Sequence, residues 1–280
     1  MAINWFPGHM VKTKREIKEN LKLVDAVIEI RDARIPKASS NPDIDDLCKD
    51  KPRIIILNKS DLTDTATTKR WVEFLSKDNI KAIPLNSLKG EGIRAIKPAL
   101  AELLKEKHAR LKAKGLVKIT TRVMVVGIPN VGKSTFINKM AKNNIAKTGD
   151  RPGVTKSKQW IKTSIGIELM DTPGVLWPKF EDEEVALNLA FTGAIKDEIM
   201  DIEELALKLV ERLTIEYPDN LKLRYKLEEL GETPLETMDL IAKKRGCIVS
   251  GGEINYNRIS VILLDEFRGG KIGNITLEMP

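Results

Sequence analysis

Short runs rich in Val and Ile alternate with longer stretches of helical period over the first two thirds of the chain. Val24–Ile30, Arg53–Leu57, Ala82–Leu85 and Arg122–Val126 read as buried strands. Helices are expected between them, at about Val11–Leu23, Asp43–Cys48, Thr67–Lys77, 92–114 and Ser134–Met140. Trp160–Thr163 and Ile165–Met170 read as an antiparallel pair. Beyond residue 180 the strand pattern stops, and helices are expected at about 183–192, 201–213, 219–230, 234–245 and 256–267. Thr233-Pro-Leu-Glu236 is a capping box with Pro at the first helical position, and Gly231 and Gly246 sit where helices stop. Strand–helix alternation followed by helices alone predicts an α/β domain with a doubly wound, mostly parallel sheet over residues 1–178. An all-α domain is expected over 179–280.

Composition places the chain among ordinary soluble globular proteins: 280 residues, 42% hydrophobic and 31% charged. Cys48 and Cys247 have no Cys or His at metal-ligand spacing, so neither a disulfide nor a zinc site is expected, and a reducing, cytoplasmic setting is. No signal-peptide pattern opens the sequence, and no apolar run is long enough to cross a bilayer, so no membrane partner is expected. Charge is uneven. Residues 1–180 carry 35 Lys/Arg against 19 Asp/Glu, about +16, whereas 181–280 carry 12 against 21, about −9. A basic first part points to an anionic partner, most simply nucleic acid.

Three motifs supply candidate chemistry. Gly127-Ile-Pro-Asn-Val-Gly-Lys-Ser134 fits G-x-x-x-x-G-K-[ST] between a strand and a helix. Its backbone N–H groups would face a polyphosphate, with Asn130, Val131, Gly132, Lys133, Ser134 and Thr135 as contacts. Lys133 would reach the β- and γ-phosphates, and Ser134 would give its hydroxyl to Mg²⁺. Asn58-Lys59-Ser60-Asp61, at the end of an apolar strand, is the guanine-reading pattern Asn-Lys-x-Asp. The Asp61 carboxylate accepts two hydrogen bonds that guanine offers and adenine does not. Asn58 would hold the loop, and the Lys59 stem would cover the base plane. Asn86-Ser87 would form the second base-binding loop. Asp171-Thr-Pro-Gly174 fits the metal and γ-phosphate sensor, with Asp171 on Mg²⁺ through water and the Gly174 N–H on the γ-phosphate. In the Gly/Pro-rich loop before it, Thr155 fits the switch threonine that closes on Mg²⁺.

Asn58–Asp61 precedes the phosphate loop, the reverse of the usual order, and matches the circularly permuted GTPases. With the N-terminal Trp5-Phe-Pro-Gly-His-Met10 and Asp32-Ala-Arg-Ile-Pro36, the chain resembles the ribosome biogenesis GTPase A family, most specifically over residues 1–178. The resemblance implies a GTPase acting late in assembly of the large ribosomal subunit, on its precursor and rRNA; a monomer is expected. It also implies a helical RNA-binding module like those of antitermination regulators. Ras-like enzymes place a Gln after the sensor glycine; here the position is Val175, which cannot polarise water. Of the two histidines, His108 falls in a basic helix and is expected at the surface. His9 is expected to orient the water. Asn130 stands where K⁺-using GTPases ligate the ion, which implies K⁺. The sensor runs directly into the helical domain, so a switch movement would be passed to it. Two alternatives stand at this point: a P-loop ATPase, and a nucleotide-switched RNA-binding scaffold without catalysis.

Overall fold

The computed structural model describes residues 7–77, 79–117, 119–141, 160–172, 174 and 182–280, with side chains 7–13 and 199 outside the description. It divides into two compact units, Met1–Glu181 with Thr276–Pro280, and Asp182–Ile275.

The first unit is built on six strands: β1 (Ala26–Asp32), β2 (Arg53–Asn58), β3 (Ile80–Leu85), β4 (Arg122–Gly127), β5 (Trp160–Lys162) and β6 (Glu168–Asp171). They lie in the order β3-β2-β1-β4-β6-β5, all parallel except β5 against β6. The parallel sheet is buried on both faces, as the apolar runs require. One side of β1 and β4 meets helices α1 (Pro7–Leu21) and α2 (Pro42–Cys48) through Ile17, Leu21, Val27, Ile44, Met124 and Val126. Beside it, Ile55, Leu57 and Ala82 pack with Trp71 of α3 (Thr65–Leu75). The alternate positions, Ile28, Ile30, Ile54, Ile56, Val123 and Val125, are equally buried.

Several elements differ from the sequence expectation. α1 starts at Pro7, whose fixed φ suits a first helical turn, and not at Val11. β1 runs two residues further than expected, because Arg31 and Asp32 continue the parallel ladder opposite Leu57 and Asn58. The segment 92–114 is not one helix. It begins as a tight turn at Ile93–Ala95 and then forms α4 (Ile96–Leu103) and α5 (Lys105–Ala113). The break falls at Leu104, which is buried. α6 (Lys133–Met140) follows the phosphate loop.

Three charged residues, Glu29, Arg31 and Asp32, sit in the fully buried β1. Glu29 and Arg31, two apart and therefore on one face of the strand, pair at 2.7 Å. Arg53 reaches the same Glu29 at 3.1 Å, and Asp45 of α2 completes the group by pairing with Arg53. Burying these charges is tolerable because each has a partner of opposite sign.

The second unit holds α7 (Glu183–Phe191), α8 (Ile202–Glu216), α9 (Pro218–Tyr225), α10 (Pro234–Lys244) and α11 (Tyr256–Arg268). α8 packs against α7, α9, α10 and α11, and its buried stripe Leu205, Leu209, Val210 and Leu213 has helical spacing. The capping box at Thr233 is formed in both directions. α9 ends at Tyr225, earlier than expected, because Lys226 adopts a left-handed conformation at φ +54°.

Candidate nucleotide site

The phosphate loop leaves β4 beside the end of β1. Asn130 (φ +60°) and Gly132 (φ +91°) are both left-handed, which turns the chain back into α6. Gly132 is required twice over: besides its φ, a Cβ there would lie 2.3 Å from Asn58 Nδ2. Ser134 and Thr135 occupy the first turn of α6, half-buried, at the positive end of the helix.

The permuted motif is knitted onto this loop. Asn58 Nδ2 donates to the Val131 carbonyl at 2.7 Å, while Asn58 Oδ1 accepts from Ser87 N (3.0 Å) and Ser87 Oγ (2.7 Å). One buried amide thus joins the base-reading loop, the phosphate loop and the turn after β3. Lys59 (φ +60°) donates from Nζ to the Asn130 carbonyl at 2.9 Å. Ser60 and Asp61 open a short helical turn, and Asp61 is exposed. Asn86 Oδ1 accepts from Leu88 N and Lys89 N at 3.0 and 3.1 Å, holding the second loop in shape. The Ser87 N–H is engaged by Asn58, so Ser87 supports the loop. Lys139 of α6 closes the ring by donating to the Leu88 carbonyl at 3.1 Å.

On the phosphate side, Lys133 Nζ lies 2.7 Å from Asp171 Oδ1, both partly buried. Thr172 donates to the Val125 carbonyl at 2.7 Å and so fixes the end of β6 beside β4. A Cβ on Gly174 would meet the Pro129 nitrogen at 3.3 Å, which places this glycine against the phosphate loop. The structure therefore brings together Asn58, Lys59, Ser60, Asp61, Asn86, Ser87, Asn130–Thr135, Asp171 and Gly174 around one end of the sheet. Thr155 and Val175 lie outside the described residues, as does the His9 side chain, although His9 is in the first turn of α1. His108 is half-buried near Thr121 and not on the open surface.

Sequence reading gave Asp32 only as part of the Asp32–Pro36 motif, with no contact assigned, and did not single out Lys139. Asp32 Oδ2 lies 2.9 Å from Lys59 Nζ, and Lys139 bridges to the second base loop. Neither motif spacing nor periodicity marks such cross-links.

A parallel sheet with a phosphate loop at one strand end and an Asn-Lys-x-Asp loop locked beside it defines a P-loop GTPase with permuted motifs. A family model described as "50S ribosome-binding GTPase" matches residues 122–244. The chain is 52% identical to ribosome biogenesis GTPase A of Bacillus licheniformis over 100% of this chain and 99% of that one. It is 34% identical to the protein of the same name from Thermotoga maritima, over 99% and 95%. Among solved structures, GNP-bound YlqF from T. maritima aligns at a TM-score of 0.65 with 31% identity, covering 96% of this chain and 98% of that one. A GDP-bound YlqF structure aligns at 0.66 with 31% identity, over 95% and 99%. The chain belongs to the ribosome biogenesis GTPase A family and is a GTP hydrolase; the ATPase and non-catalytic alternatives are set aside. No helix among the described residues is long and apolar enough to cross a membrane.

Proposed function

We propose that this GTPase serves late assembly of the large ribosomal subunit in the cytoplasm, as a monomer that binds the precursor particle and its rRNA and hydrolyses GTP as that particle matures. The observation that carries the nucleotide part is the pair of bonds Asn58–Val131 and Lys59–Asn130, which set the guanine-reading loop beside the phosphate loop. The ribosomal part is supported by the names of the relatives and of the family model.

In this reading Asp61 accepts the two guanine N–H groups, and Lys133 moves from Asp171 to the β- and γ-phosphates. Mg²⁺ fits the donors present: the Ser134 hydroxyl and the Asp171 carboxylate are hard oxygen ligands. Mg²⁺ of this kind shares its coordination shell with phosphate and water. When bound it neutralises charge on the transferring phosphoryl group. Asn130 would ligate K⁺, Thr155 would close on Mg²⁺, and His9 would orient the water in place of a glutamine.

Contacts with rRNA are assigned to the basic first unit and to the helical unit, over Asp182–Ile275. Some of the basic residues are already engaged: Lys107 pairs with Asp25, and Arg224 and Arg245 both pair with Glu266. The remaining lysines of 105–114, 222–226 and 243–244 are the better candidates. The test is GTP hydrolysis in K⁺ and in Na⁺ buffer, with and without purified large subunits. Strong stimulation by the subunit, greater in K⁺, is expected. Unchanged turnover with subunits would remove the ribosomal assignment, and equal rates in the two salts would remove K⁺. Stimulation that survives His9→Ala with binding intact would remove His9.

A further inference from the structure

The turn after β1 is braced from both sides. At its root Asp32 is 2% exposed, and its carboxylate serves two cations. Arg34 approaches through Nε at 2.9 Å and Nη2 at 2.8 Å, and Lys59 through Nζ at 2.9 Å. Burial opposes that negative charge, but Arg34 and then Lys59 outweigh it and hold the carboxyl well below the usual range. The lysine of the base-reading loop is thus gripped at two points, the Asn130 carbonyl and Asp32. Its backbone is left-handed, uncommon for a lysine.

The outer side of the same turn carries Thr276–Pro280, a segment that follows the helical unit in sequence yet belongs to the first unit. The Glu278 carboxylate accepts from Lys37 N at 2.6 Å and Ala38 N at 3.0 Å. Leu277 N donates to the Arg34 carbonyl, and Trp71 Nε1 donates to the Glu278 carbonyl, each at 2.9 Å. Thr276 and Leu277 are buried. Ser39, between the two sides, accepts from Asp32 N at 3.1 Å and donates to the Ile35 carbonyl at 2.6 Å.

We propose that Asp32 is a positioning residue for Lys59, and that Glu278 fixes the turn that carries Asp32. The segment beyond the helical unit thereby supports guanine recognition without touching the nucleotide. The inference rests on the reading of Asn58–Asp61 as the guanine loop. A lysine stem lying along a base must give up rotamer freedom. Fixing its far end on a buried carboxylate spends that entropy before the nucleotide arrives. A loosened turn returns the cost to the binding step.

The test uses the full chain, with affinity and dissociation rate measured for a fluorescent GDP. Glu278→Ala is expected to weaken GDP about two- to tenfold, the cost of re-ordering one long side chain, through faster release. Glu278→Gln, which keeps one acceptor oxygen, should recover part of that. In a Lys59→Met background, Glu278→Ala should add nothing further. Unchanged GDP affinity in Glu278→Ala overturns the proposal, and so does an equal loss with and without Lys59, which would mean general loosening. Asp32→Asn removes the negative charge that faces buried Arg34 as well as Lys59, so the Glu278 and Lys59 variants carry the test. Asp61→Asn, measured against xanthosine and guanosine diphosphates, checks the guanine loop on its own. No shift toward xanthosine would overturn that reading.

Discussion

Asn58 places both ends of its amide on protein partners, whereas Lys133 on the phosphate side is paired with Asp171, which in the proposed reading it leaves for an incoming γ-phosphate. In the proposed reading the base-reading side is a set of bonds that would persist when nucleotide binds. The phosphate side is a bond that would be exchanged. Affinity and base choice draw on the first, because pre-formed geometry lowers the ordering cost of binding. Switching would draw on the second, because only a contact with two alternative partners can report which nucleotide is present.

The largest expected effect tests the exchanged side. Lys133→Ala should lower single-turnover GTP hydrolysis about 100-fold or more, the usual scale for a donor aimed at transition-state charge. A loss of only a few fold would mean that Lys133 stays on Asp171 throughout. The persistent side is tested by Gly132→Ala, where the new Cβ collides with Asn58 Nδ2 in a left-handed backbone. We expect a loss of about 2 kcal/mol in unfolding free energy together with weak GDP binding. Normal binding would show that the two loops need not touch.

Acid sharpens the contrast more gently. Asp32 and Asp45 have folded-state acidities strengthened by their cationic neighbours, against the opposing effect of burial. Their contribution is complete above the ordinary carboxylate range and is lost as pH falls through that range toward the lowered values. Stability and GDP affinity should be flat between about pH 6 and 8 as far as these groups are concerned, and should then fall together in acid; Lys59→Met should lessen the fall in affinity. The smallest effect is a control in the helical unit. Thr233→Ala removes the cap of α10 and should cost about 1 kcal/mol there, with GDP affinity unchanged.

What the sequence disclosed follows from the range of the forces involved. Strands buried on both faces announce themselves as apolar runs. The phosphate loop and Asn58–Asp61 are local patterns whose chemistry depends on adjacent residues. The capping box at Thr233 is equally local, and it formed as read. The break at Leu104 was hidden because a helix that turns one leucine into the core keeps its period on either side. Glu29 and Arg31 within β1 were legible only as residues, since their tolerance depends on Arg53 and Asp45, brought there by pairing of strands. The contact of Asp32 with Lys59 had no local signature. Asp32 and Asn58 are register partners on neighbouring strands, and that placed the carboxylate next to the lysine that follows.

The bond from Asn58 to Val131 closes a separation of 73 residues. It also has a meaning for refolding. Strands β1–β3 and strands β4–β6 can each gather local contacts early, but nucleotide cannot be held until the two sets meet and this amide finds its carbonyl. Long closures are entropically late events. A fluorescent guanine nucleotide added to refolding chains is therefore a clock for the joining of the two halves of the sheet, and its signal should lag behind the recovery of helix and strand.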